Sequence, residues 1–67
     1  MTFTLNFAPE TWPEPGPSLA ELVAAHRWTR ALVAVTINGR PVESVRFDEV
    51  RAAEGDVIQA FFLVSGG

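Results

Sequence analysis

Few side chains in this sequence could do chemistry. Cysteine is absent, which removes a thiolate nucleophile, a disulfide staple and a cysteine-held zinc site. Ser18, Ser44 and Ser65 have only His26 as a candidate base. A lone histidine with no placed orienting partner does not make a nucleophilic triad, and its spacing puts His26 on the apolar stripe of a helix. Asp48, Glu49, Glu54 and Asp56 lack the alternating spacing by which a calcium loop collects oxygen ligands, and read as solvated turn residues. No glycine run precedes a helix, so no phosphate-cradling loop is expected. The expectation is a protein with no intrinsic cofactor and no metal.

The remaining candidate is main-chain chemistry at the end of the sequence, "FFLVSGG", residues 61–67. A hydrophobic strand gives way at once to two glycines. Glycine lacks a Cβ and permits close approach of backbone to a ligand. A Gly66-Gly67 end, led by Ser65, can thread a narrow channel and present the Gly67 carboxylate inside another protein. A carboxylate is a poor electrophile. Joined to the AMP of ATP, it becomes a mixed anhydride that a sulfur nucleophile can displace, leaving a thiocarboxylate. Gly67 is therefore the candidate reactive residue, Gly66 and Ser65 the candidate threading residues, and residues 64–67 the expected flexible reactive tail.

Such a tail needs a scaffold. Thr2–Phe7 alternates, with Phe3, Leu5 and Phe7 on one face, which predicts a half-buried strand. Residues 8–17, "APETWPEPGP", carry four of the five prolines and predict a long turn with a short edge strand near Trp12. Ser18 with Glu21 forms a capping box, and Leu19, Leu22, Val23 and His26 then recur at helical spacing. This predicts a helix ending near Trp28 or Thr29. Ala31–Ile37 reads as a strand buried on both faces. Asn38-Gly39 is a strong hairpin signal, residues 46–52 suit a short helical turn, Gly55-Asp56 is another turn, and Val57–Val64 is the last strand. A long apolar strand is safe only when paired on both sides, so Val57–Val64 belongs in the centre, beside the first strand. The fold class expected is α+β: a β-grasp, ubiquitin-like mixed sheet with one main helix on one face, in a single domain of residues 1–67.

At 67 residues and 48% hydrophobic content, the chain can form a packed but marginal core. Its net charge is −3, with five arginines and no lysine, an acidic balance that excludes the electrostatic footprint of a nucleic-acid binder. Neither a membrane-length apolar run nor a basic-then-apolar leader is visible, which leads to the expectation of a cytoplasmic protein.

One helix covers one face of a sheet. The last strand offers Ile58, Ala60 and Phe62 on one side, and Val57, Gln59, Phe61 and Leu63 on the other. Ile58 and Ala60 are compact and suit the helix side. Val57, Phe61 and Leu63 are then expected on an open face just ahead of the tail, where large apolar residues mark a partner-binding surface.

Three stretches resemble one family. "VAVTINGRPV" (residues 33–42) resembles a strand-turn of the ThiS family of sulfur carriers in bacterial thiamine biosynthesis. "AAEGDVIQAFFLVSGG" (residues 52–67) resembles its ending, and "SLAELV" (residues 18–23) its helix start. Only the Gly-Gly ending is specific for function. The resemblance implies a β-grasp fold and a carrier that is a co-substrate, not an enzyme. A ThiF-like adenylating enzyme would activate Gly67 with MgATP, a cysteine desulfurase would supply persulfide sulfur, and a ThiG-like thiazole synthase would accept the sulfur. The alternatives are a MoaD-like carrier for molybdopterin or another pathway, a ubiquitin-like modifier, and an interaction module with inert glycines. "APETWPEPGP" departs from the family pattern in being longer and richer in proline.

Overall fold

A computed structural model describes residues 1–63. Five strands form one mixed sheet: β1 (Thr2–Leu5), β2 (Ala8–Thr11), β3 (Val33–Ile37), β4 (Arg40–Val42) and β5 (Val57–Phe62), in the spatial order β2-β1-β5-β3-β4. The helix α1 (Leu19–Ala25) crosses one face, and single 3-10 turns occupy Arg30–Leu32 and Ser44–Arg46. β5 lies in the centre, parallel to β1 and antiparallel to β3. Pairing on both sides gives this apolar strand the protected position expected of it.

Two hairpins build the sheet's wings with the same turn. Leu5 pairs with Ala8 around Asn6-Phe7, and Ile37 pairs with Arg40 around Asn38-Gly39. All four turn residues have positive φ: 49° and 70° in the first turn, 52° and 83° in the second. A two-residue turn with left-handed backbone at both positions matches the twist of the strands it joins. The first strand therefore stops at Leu5. Phe7 does not join the face of Phe3 and Leu5; it stands out at the hairpin tip, 84% exposed. The residues after it, expected mainly as a turn, pair with β1 as edge strand β2, and Pro9 is tolerated because it sits at an edge.

Helix α1 begins as its capping box dictates. The Ser18 hydroxyl accepts from the Glu21 amide at 3.0 Å, and the Glu21 carboxylate accepts from the Ser18 amide at 2.8 Å. The helix ends earlier than its spacing predicts. Arg27 takes φ 60°, donates its amide to Ala24, and the Trp28 amide reaches back to Val23. That pair of bonds is a Schellman closure, built here on arginine where glycine is usual. His26 consequently leaves the apolar stripe. It is exposed, with a ring nitrogen 2.8 Å from Glu10.

Leu19, Leu22 and Val23 of the helix pack on Phe3, Leu5, Val33, Val35, Ile58 and Ala60 of the sheet. β3 is buried on one face only, Val33 and Val35 inward and Ala34 outward, so the expectation of a strand buried on both faces is corrected. Phe47 closes the core from the segment that follows β4 and is fully buried. Its carbonyl accepts from the Ala20 amide, and that of Val50 from Leu19, which ties this segment to the start of the helix.

Candidate functional site

The site is organised by β5. Its inward residues Ile58 and Ala60 lie under the helix, buried. Its outward residues meet only small side chains on the neighbouring strands: Phe61 pairs with Ala34, Gln59 with Thr36, and Val57 with Thr4. Nothing covers this face among the described residues. Val57, Phe61 and Leu63 are 45%, 50% and 57% exposed. Val57 and Phe61 belong to β5, and Leu63 directly follows it.

The end of β5 is held firmly. The Leu63 amide donates to the Leu32 carbonyl at 2.8 Å, one step past the Val33–Phe62 pair. On the other side, the Ala60 amide donates to the Asn6 side chain at 2.8 Å, and the Asn6 amide to the Ile58 carbonyl. Phe62 points toward the helix layer yet stays half-exposed, because α1 stops at Ala25 and does not reach it. Trp28 meets it edge-on instead. Trp28 stacks on His26 with centroids 4.6 Å apart, and His26 meets Glu10, which also accepts from the Trp12 indole at 2.9 Å. A continuous run of contacts thus links β2 to the last residues before the tail. Trp28, Leu32 and Asn6 support the site without a sign in the sequence. Asn6 and Leu32 act through atoms that only the fold brings near β5, and Trp28 reads as a helix end.

Val64 and the candidate reactive and threading residues Ser65, Gly66 and Gly67 lie outside the described residues. The side chains within them carry structural duties. Ser18 caps the helix, Glu54 accepts from the Thr2 amide, and Asp56 accepts from the Ala53 amide and the Asn38 side chain. Asp48 meets Arg30, and Glu49 lies 3.8 Å from Arg46. The Glu21 carboxyl is held below its ordinary value, chiefly by the Ser18 amide, against the opposing effect of desolvation and with further help from the nearby Arg51 charge. Among the described residues no three histidine, cysteine or acidic side chains converge as a metal site, and no helix is long and apolar enough to cross a membrane. An open groove of about 620 Å³ lies between β4 and the segment after it, lined by Arg40, Arg46 and Arg51 but also by Asp56. Arg46 and Arg51 already face Glu49 and Glu21.

A central apolar strand, one crossing helix and two hairpin wings define a β-grasp protein of the α+β class. No family model and no curated protein matches the sequence. Among solved structures, the crystal structure of the thiamine biosynthesis protein ThiS from Geobacter metallireducens superposes with a TM-score of 0.81, at 29% identity over the whole of both chains. The solution structure of a thiamine biosynthesis protein from the same organism gives a TM-score of 0.76, at 29% identity, over all of this chain and 88% of the other. Within the β-grasp class, the proteins this chain is similar to are thiamine biosynthesis proteins, ThiS among them.

Proposed function

We propose that this protein is a sulfur carrier for thiamine thiazole biosynthesis, acting as a co-substrate. The observation that carries this reading is the full-length likeness to ThiS combined with a fixed, partly apolar strand end followed in the sequence by Val64-Ser65-Gly66-Gly67. In the proposed cycle, a Gly67 carboxylate oxygen attacks the α-phosphorus of MgATP on a ThiF-like enzyme. Pyrophosphate leaves and an acyl adenylate remains. The terminal sulfur of a cysteine desulfurase persulfide attacks the acyl carbon and expels AMP. A thiol then cleaves the resulting sulfur–sulfur bond, forming a disulfide with the desulfurase cysteine's own sulfur and leaving the transferred sulfur on Gly67 as the thiocarboxylate. A ThiG-like thiazole synthase accepts that sulfur.

The scaffold's part is positional. β5 is fixed on both flanks, so docking through Val57, Phe61 and Leu63 sets where the tail enters a partner. Pre-ordering the dock lowers the entropy cost of association, and aromatic anchors concentrate binding energy. Glycine at position 66 leaves the thread narrow.

Intact mass spectrometry of the protein isolated from its native host tests this reading. The expected product carries sulfur in place of one oxygen at Gly67. Ladders of larger conjugates on target lysines would replace the carrier by a modifier, and an unmodified terminus after incubation with a ThiF-like enzyme, desulfurase and MgATP would remove both.

A further inference from the structure

The two hairpin turns are an internal comparison. They have the same length, the same asparagine at the first position and nearly the same backbone, yet the second position is Gly39 in one and Phe7 in the other. At Gly39 the left-handed conformation is free of a Cβ clash. At Phe7, with φ 70°, a bulky side chain is held where such residues are genuine outliers. The fold returns nothing for this. The ring is 84% exposed and is absent from the core and from every aromatic pair of the described residues. Strain held by an exposed aromatic, with no packing to offset it, points to use outside the molecule.

Its place in the fold says where. β1 and β5 run parallel, Leu5 beside Ile58, and the Asn6 side chain takes the amide of Ala60. The Asn6-Phe7 turn therefore sits at the end of the sheet toward which β5 runs, beside the strand that delivers the tail.

We infer that Phe7 is an intermolecular anchor and specificity-determining residue, inserted into an apolar pocket of the adenylating enzyme that receives the tail. This rests on the carrier reading proposed above. Phe7 adds an exposed apolar side chain to those of Phe61 and Leu63, from the turn beside β5, and it costs the free protein stability.

The test is Phe7→Gly, which converts the turn to Asn-Gly, with Phe7→Asn as a second variant whose side chain also tolerates the left-handed region. Both are measured in the full chain, by thermal unfolding and by calorimetric binding to a purified ThiF-like enzyme, with ATP–pyrophosphate exchange as the activity readout. The expected result is a Tm higher by roughly 4–8 °C for Phe7→Gly, together with binding weakened at least tenfold and a raised KM at unchanged kcat. A residue with a purely structural role would not move stability and binding in opposite directions. An unchanged or lowered Tm overturns the strain; a raised Tm with unaltered binding overturns the anchor. Self-association of the wild type that both variants abolish, seen by sedimentation, would make the occupant a second copy and overturn the assignment. If the wild type itself is not activated, the carrier reading fails and the assignment of the pocket falls with it.

Discussion

Trp28 meets Phe62 edge to face, with ring centroids 5.1 Å apart and an interplanar angle of 78°. One residue completes the Schellman closure of the helix and the other ends the central strand, so this pair ties the helix's exit to the end of β5. Pairs of this geometry contribute about 0.5–1.5 kcal/mol beyond buried area. A double-mutant cycle of Trp28→Ala and Phe62→Ala, read by chemical denaturation, is expected to return a coupling in that range. A coupling near zero would show that the two rings merely sit close.

Phe61→Asp places a charge on the open face, opposite Ala34. The side chain is half-exposed already, so Tm is expected to change little. Binding to a ThiF-like enzyme and to a ThiG-like synthase should each weaken at least tenfold, a loss of about 1.4 kcal/mol or more. Unfolding of the variant would contradict the exposed position, and unchanged affinity for both partners would remove Phe61 from the dock.

Removing Gly67 is expected to abolish ATP–pyrophosphate exchange while the far-UV spectrum and Tm stay as in the wild type. Gly66→Ala adds one methyl to the proposed thread and should reduce activation strongly at equal Tm. Full activity in Gly66→Ala would rule out a channel that admits bare backbone only.

Glu21 supplies a prediction in pH. Its folded-state carboxyl is held below the ordinary 4.5 by the Ser18 amide and Arg51. A depressed value means that the carboxylate stabilises the fold fully above the ordinary carboxylate range, and that this contribution is lost as pH falls through the lowered value. Glu21→Gln keeps a capping-box acceptor without the charge. It should be less stable than wild type near neutral pH and converge with it in strong acid. Parallel stability curves from pH 7 to pH 2 would show that the charge contributes nothing.

Phe47→Ala removes the fully buried ring by which the segment after β4 closes the core. A buried phenylalanine truncated to alanine costs about 3–5 kcal/mol, a large share of the total for so small a domain. The variant is expected to be largely unfolded at 37 °C by circular dichroism. A cooperative transition within a few degrees of the wild type would show that the segment after β4 is not part of the core.

The β-grasp arrangement was legible because its signals are local. The capping box at Ser18, the Asn38-Gly39 turn and the apolar run of β5 each announce themselves within a few residues, and the central place of β5 follows from the danger of exposing it. What escaped has a local disguise. Phe7 continues the alternation of Phe3 and Leu5, so a turn with the same positive-φ pair as Asn38-Gly39 passes for strand. Arg27 stands where glycine would flag the helix end, so the helical spacing runs on through His26. Phe47 lies in a polar stretch, and its burial depends on the helix start and on Arg30, whose guanidinium stands 5.4 Å above its ring. Val57, Phe61 and Leu63 were legible as an outward set, since alternation on a strand fixes sides once one side is known. Ser65, Gly66 and Gly67 were legible only through chemistry, and they lie outside the described residues.

The parallel pairing of Thr4 with Val57 joins nearly opposite ends of the sequence at the middle of the sheet. Each hairpin wing can close locally, but neither has a core until β5 arrives between them. The rate of folding is therefore set by a loop closure spanning most of the chain, and sheets built on such distant contacts fold slowly for their size. Until that closure, the inner edges of β1 and β3 are both unpaired, a state open to capture by other chains. Substitutions at the buried Ile58 should accordingly slow folding more than they hasten unfolding, so the strand that carries the tail also governs how long the nascent protein stays vulnerable.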